Sequence, residues 1–320
     1  MVATPLISIP EAPAPEGAQA EWCEGAGGVR LRAALFPPPG PARGTVVLSP
    51  GRSEPIEKYF EVVGDLSRRG FHVLAHDWRG QGLSERLLPE TLKGHADGAD
   101  LYVEDHRLLL DAYADRLPGP LIALSHSMGA CLTLLALARG EARLQAAMLS
   151  APMIAVATGQ LPPGLARAIC KVMMAMGRSG DYVGAASDPH ADTFAAGILT
   201  HDRARYDRFK AQLRACPGLA VGGLTWGWLD FAFRAEAEIL APGGMERIAV
   251  PVTAAICGAD RLVLNPPIRT AVGRIPQGRC VEIPGAYHEV LMETDDLRAE
   301  FWQAFDDLAD RVAPATSPRA

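Results

Sequence analysis

Cysteine is sparse in this chain. The six present (Cys23, Cys131, Cys170, Cys216, Cys257 and Cys280) are far apart and form no C-x-x-C pair. That spacing excludes a zinc ribbon or a dithiol redox centre and suits free thiols in a reducing compartment better than a disulfide framework. Positive charge is not in excess either: 31 Lys and Arg stand against 37 Asp and Glu, a net charge of −6 with no basic stripe for a nucleic acid. No H-E-x-x-H, no P-loop and no G-x-G-x-x-G after a strand occurs, so neither a metal nor a cofactor is expected. The first residues, MVATPLISIPEAPAPEGAQAEW, have no basic n-region and no apolar h-region. No signal peptide is therefore expected, and a cytoplasmic location is the default.

What is present is a chain of 320 residues, 48% hydrophobic and 21% charged, enough for one large globular domain or one domain with an insertion. Residues 1–20 are rich in Pro and Ala and read as a mobile arm. Short apolar strands are predicted at 29–36, 45–49, 72–76, 121–124 and 146–149, with helices over 57–69, 101–116 and from 130 to 138. This β-α alternation implies right-handed crossovers and a mostly parallel, doubly wound sheet. Between 152 and 245 the pattern changes to helix-like segments (165–176, 203–215 and 226–240) without a convincing strand. The alternation resumes with strands at 252–257 and 279–283 and helices at 269–275 and 296–311. The expected organisation is an α/β core from 21–151 and 246–312, a helical cap at 152–245 and a disordered tail at 313–320.

The stretch PLIALSHSMGACLTLLALAR from Pro120 to Arg139 carries the strongest chemical signal. Its uncharged length of about 18 residues nominally meets the requirement for a membrane span. The polar Ser-His-Ser centre and the lack of aromatic or basic anchors favour a strand, a turn and a helix instead. The turn reads small-X-Ser-X-Gly over Ser125–Gly129, a pattern that such a chain yields by chance about 0.3 times. A serine on a sharp strand-to-helix turn is the nucleophile elbow of α/β-hydrolases. Ser127 is the candidate nucleophile. Catalytic groups in open α/β sheets gather at the carboxyl ends of strands, and two more suitable residues stand there. Asp260 follows strand 252–257, and His288 follows strand 279–283. A serine hydroxyl needs a neutral imidazole to take its proton and a carboxylate to orient that imidazole, so the order Ser…Asp…His is chemically complete. His126, adjacent to the nucleophile, is expected to point away and pack. The backbone N–H groups of Met128 and Arg52 are the candidate oxyanion donors.

These segments resemble the bacterial lysophospholipase and monoacylglycerol-lipase branch of the serine α/β-hydrolases. The likeness rests on Pro50–Glu54 with Lys58-Tyr59, on the loop His76–Ser84, on the elbow, on Ala259–Val263 and on Gly285–Glu293. Cap segments Leu199–Tyr206 and Val221–Trp226 point toward the lysophospholipase side. Ser125 and Ala130 depart from the glycines usual in such relatives. The resemblance implies a hydrolase for the ester of single-acyl-chain lipids, lysophospholipids first and monoacylglycerols second. Small-ester carboxylesterase activity and a non-catalytic protein binding an apolar ligand are the alternatives.

In the cap, Met173, Met176 and Trp226 are candidate substrate-binding residues, because an unbranched Met wall suits flexible acyl chains. Ordinary helix packing explains the same residues equally well. Residues 152–245 carry nine Lys or Arg and eight Asp or Glu, a net of +1 against −7 for the remainder. A cap less acidic than its body suits peripheral contact with an anionic membrane. The oligomeric state is left open.

Overall fold

The computed structural model describes residues 1–194 and 197–314. Nine strands form one sheet: β1 (Val2–Ala3), β2 (Gln19–Glu24), β3 (Arg30–Phe36), β4 (Gly44–Ser49), β5 (Phe71–Asp77), β6 (Leu121–His126), β7 (Leu144–Ser150), β8 (Val252–Cys257) and β9 (Gly278–Ile283). Their spatial order is β1-β2-β3-β5-β4-β6-β7-β8-β9. The first three strands pair antiparallel and the rest are parallel. Central β4 reads GTVVLS and is buried along its whole length, as a strand covered on both faces must be.

The chain steps back from β4 to β5 through helix α1 (Phe60–Arg68), then outward to β6 through α2 (Ala99–Tyr113) and on through α3 (Met128–Ala138). With right-handed crossovers, that reversal puts α1 on one face and α2 and α3 on the other. Residues 151–251 leave the sheet between β7 and β8. Among the described residues they contain α4 (Pro163–Ala175), α5 (Arg203–Ala215) and α6 (Trp226–Leu240), and only isolated β-bridges. Helices α7 (Asn265–Val272) and α8 (Asp295–Val312) complete the fold. No helix among the described residues is long and apolar enough to cross a membrane. The uncharged run is instead divided between β6 and α3, a helix buried from Met128 to Leu137.

Two expectations about the ends change. Residues 1–20, read as a mobile arm, lie along the sheet. Val2 and Ala3 pair with Trp22 and Glu21, and the Ile7 N–H donates to Glu57 Oε1 at 3.1 Å. The Pro- and Ala-rich composition hid this, because the partners are an edge strand and a distant glutamate. Of the expected disordered tail, Ala313 is buried and its carbonyl accepts from Arg43 Nε at 2.7 Å. Residues 315–320 lie outside the described residues.

The loop His76–Ser84 is a brace for the strand ends. Asp77 is fully buried and accepts from Arg32 Nε, the Ile56 N–H and the Leu83 N–H at 2.8–2.9 Å. A Cβ at Gly82, whose φ is +50°, would sit 2.2 Å from that carboxyl group, so only glycine lets the loop wrap it. Arg79 forms a buried fork with Asp105. Asp77 thereby holds the segment that precedes α1, which carries residues 51–58 of the site, and Arg79 ties the loop to α2.

Candidate active site

Strand register brings the candidate residues together. Ser49 pairs with Ser125, and His126 with Ser150, so the loop after β4 lies beside the turn after β6. Cys257 pairs with Ile283, which sets the loops carrying Asp260 and His288 side by side. Ser127 itself has φ +49° and ψ −113°, a conformation that non-glycine residues rarely adopt and that marks a functional turn. The turn has no spare room. A Cβ at Gly129 would be 2.3 Å from the Ser49 carbonyl oxygen, and one at Gly51 would be 3.2 Å from Ser127 Cβ.

The side chain of Ser127 ends in an unbroken relay. His288 Nε2 is 2.9 Å from Ser127 Oγ, and His288 Nδ1 is 2.7 Å from Asp260 Oδ2. Burial alone would raise the pKa of Asp260, but the hydrogen bond and charge of His288, with the N–H groups of Leu262 and Val263, hold it below its usual range. An ionised carboxylate on Nδ1 fixes the tautomer that leaves Nε2 free to accept from the serine. Neither the Met128 nor the Arg52 N–H has a hydrogen-bond acceptor among the described residues. Met128 is the first residue of α3, where the helix leaves its N–H groups unfilled.

His126 does not join the relay: its ring packs against that of His288, with the centroids 4.8 Å apart, and makes no hydrogen bond to Ser127 among the described residues. Its Nδ1 is 3.1 Å from Ser150 Oγ, and burial lowers its pKa to about 4, so it stays neutral. Ser125, the unusual residue of the turn, is fully buried with its Oγ 2.8 Å from Thr133 Oγ1. The larger side chain is accommodated because α3 supplies it a partner two turns on.

A buried charge cluster that the sequence reading did not single out backs this arrangement. Lys58 Nζ lies between Glu54 Oε1 at 2.7 Å and Glu289 Oε1 at 2.6 Å. Glu54 also accepts from the Gly51 N–H and the Tyr59 hydroxyl, both at 2.6 Å. Burial would raise Glu54, but Lys58 and His126 bring it down to about 2. Glu289, sharing the same ammonium, is raised by burial. The cluster ties the loop after β4 to the residue that follows His288. Its signal was the co-occurrence of Glu54, Lys58, Tyr59 and Glu289 in the two motif loops, but sequence does not say that the loops touch.

Ser127 and His288 open on a cavity of about 640 Å³, within the roughly 300–1,000 Å³ of ligand pockets. Its far wall comes from the segment between β7 and β8, including Leu199, Phe209, Leu224 and Leu229. Met173, Met176 and Trp226 do not line it. The buried face of α4 presents Ala166 and Cys170 to Leu229 and Phe233 of α6, while Val172 and Met176 project outward, 57% and 64% exposed. Trp226 is the first residue of α6 and packs beside that same small cluster. Composition singled out the methionines; the rotational phase of α4 turned Met176 away.

The fold is that of the α/β-hydrolases. Residues 40–295 match the family model described as "Serine aminopeptidase, S33" (Hydrolase_4), and the chain belongs to that family. It is 35% identical to lysophospholipase L2 of Escherichia coli K12 over 277 residues, 83% of this chain and 80% of that one. It is 28% identical to a monoacylglycerol lipase of Mycolicibacterium smegmatis, covering 85% of this chain and 90% of the relative. In shape it is similar to a soluble variant of monoglyceride lipase from Saccharomyces cerevisiae, with a TM-score of 0.70 at 18% identity, covering 91% and 95% of the two chains.

Proposed function

We propose that this chain hydrolyses the carboxylic ester of single-acyl-chain lipids, lysophospholipids first and monoacylglycerols second, through an acyl-enzyme on Ser127. The relay from Ser127 Oγ through His288 to Asp260, opening on the cavity, carries the reading. The lysophospholipase and monoacylglycerol lipase among the relatives support the substrate class.

Ser127 Oγ attacks the ester carbonyl as His288 Nε2 takes its proton, and Asp260 stabilises the imidazolium through Nδ1–H. The carbonyl oxygen, now an anion, accepts from the Met128 and Arg52 N–H groups, each worth about 2.7–4 kcal/mol in such sites. Collapse breaks the ester C–O bond, and the leaving alcohol takes the proton from His288. Water, deprotonated by His288, then attacks the acyl-serine and releases the fatty acid. Another alcohol in place of water would make the same site a transacylase.

The exposed side of α4 is the part we assign to a membrane. Leu165, Val172 and Met176 stand out from it beside the exposed Lys171, while the other two basic residues of 151–180, Arg167 and Arg178, pair with Glu236 and Asp181. An exposed apolar stripe with a lysine beside it suits the interface of an anionic bilayer, where single-chain lipids reside. The six free thiols suit a cytoplasmic location.

The deciding experiment compares ester hydrolysis by the wild type and Ser127→Ala on a lysophospholipid, a monoacylglycerol and a short p-nitrophenyl ester. Hydrolysis that disappears with Ser127 and is strongest on the two lipids is the expected outcome. Activity unchanged in Ser127→Ala, or no ester cleaved while Ser127 resists a fluorophosphonate label, would overturn the reading and favour a binding protein.

A further inference from the structure

Four basic side chains line the cavity: Arg52, Lys58, Arg205 and Lys210. Three have a carboxylate. Lys58 is held by Glu54 and Glu289, Arg205 by Glu61, Asp202 and Asp295, and Lys210 lies 3.8 Å from Asp192. Arg52 has none among the described residues. Among the described residues its side chain makes one hydrogen bond, from Nη1 to the Gly222 carbonyl oxygen at 2.6 Å, and its Cζ lies 5.6 Å from the centre of the Trp228 ring. A guanidinium carries five N–H donors, so most of this one is unfilled. Burial without a counter-charge lowers its pKa to about 10, which still leaves it charged at neutral pH. The neighbouring Ser53, on the same wall, has a buried hydroxyl without a partner.

The place of this cation matters as much as its isolation. Arg52 follows Gly51, which abuts Ser127, and Trp228 beneath the guanidinium donates from Nε1 to Met128 Sδ at 3.5 Å. The charge therefore stands one side chain away from the residue after the nucleophile. Placing a cation inside a largely apolar cavity is unfavourable in the empty protein, and that cost is recovered when an anion enters. A guanidinium fork also matches the geometry of phosphate oxygens. Of the two lipid esters considered above, only the lysophospholipid brings an anion beside its glycerol.

We propose that the Arg52 side chain is the seat for the phosphodiester of a lysophospholipid headgroup and sets the preference of the site for anionic over neutral single-chain esters. The proposal rests on the ester-hydrolase reading. Arg52 then acts twice: its N–H serves the oxyanion and its guanidinium serves the headgroup.

The test measures kcat/KM for a lysophospholipid and a monoacylglycerol with the same acyl chain, in wild type, Arg52→Met and Arg52→Lys. The readout is the ratio of the two values, so a general loss from disturbing the loop cancels. The ratio should fall 10- to 100-fold in Arg52→Met, through KM for the lysophospholipid, and recover in part in Arg52→Lys. A ratio unchanged in Arg52→Met overturns the proposal, whatever the absolute rates. The wild type gives a second measurement that needs no variant. A glycerophosphodiester should inhibit monoacylglycerol hydrolysis competitively, and glycerol should not. Equal inhibition by inorganic phosphate would assign the seat to free phosphate and overturn the headgroup assignment, as would no inhibition by either. Failure of the parent reading looks different: neither ester is cleaved, or both are cleaved without Ser127.

Discussion

The sheet core and the helical segment inserted into it divide the work of the site unequally. From the core come Ser127, Asp260, His288 and the loop of Arg52, all at the ends of parallel strands, of which β4, β6 and β8 are buried and β9 is the half-exposed edge. From the insertion come most of the apolar far wall and the outward stripe of α4. A strand end fixes a side chain through its register with the strands beside it, so position there follows from pairing. A wall residue in the insertion depends on helix phase and on irregular loops, so position there follows from packing. Chemistry should accordingly be sensitive to single atoms in the core, and surface behaviour to area in the insertion.

The largest expected effect lies in the core. Asp260→Asn keeps the shape of the relay but presents an N–H where a carboxylate accepted one, and in such relays this lowers kcat on the order of 10⁴-fold. The loss should be equal for lysophospholipid, monoacylglycerol and short ester. A loss confined to one substrate would break the division between core and insertion.

A smaller effect is expected on the insertion's outer face. Replacing Leu165, Val172 and Met176 together by Ser removes the apolar stripe, and vesicle affinity scales with buried apolar area, so sedimentation with anionic vesicles should weaken by roughly tenfold or more. Hydrolysis of a monomeric short ester should stay near wild type. Unchanged sedimentation would remove the membrane role from α4.

The smallest effect lies at the seam. Glu61 on α1 accepts from Arg205 and Arg208 of α5 and from Arg298 of α8. Burial alone would raise its pKa, but those guanidinium groups hold it at about 2, below the ordinary 4.5. A carboxylate depressed on folding stabilises fully above its unfolded pKa and loses that contribution as the pH falls toward the folded value. Glu61→Gln should therefore cost about 1 kcal/mol at pH 7. The difference in Tm from wild type should close between pH 4.5 and about pH 2. A gap independent of pH would mean that the seam is held by packing instead.

The same division explains what could be read from the sequence. Strand 252–257 and helices 203–215 and 226–240 have the bounds that the sequence indicates, because each is a periodic run between clear stops. The order Ser127, Asp260, His288 was legible for a related reason: each follows a short apolar run, and parallel strands deliver their carboxyl ends to one edge. Strand β2 (QAEWCE) does not show in the sequence because it is polar and only two of its six residues are buried, although it pairs along its length with the expected strand β3. The cavity wall was misread for lack of phase information. Nothing in LARAICKVMMAM says whether Cys170 or Met176 faces inward until α6 is packed against the helix. Ser125 looked too large for its turn because Thr133, its partner, stands eight residues away.

Residues 151–251 join two strands, β7 and β8, that pair directly with each other. For such a connection the entropy of closing the loop grows only with the logarithm of its length, about 0.6 kcal/mol for each doubling. The pairing that holds Asp260 and His288 beside Ser127 is thus nearly indifferent to how much chain intervenes. Lengthening, shortening or exchanging that chain would alter what reaches the nucleophile while leaving the relay in register. One sheet can in this way host a series of enzymes that differ in appetite and share their chemistry.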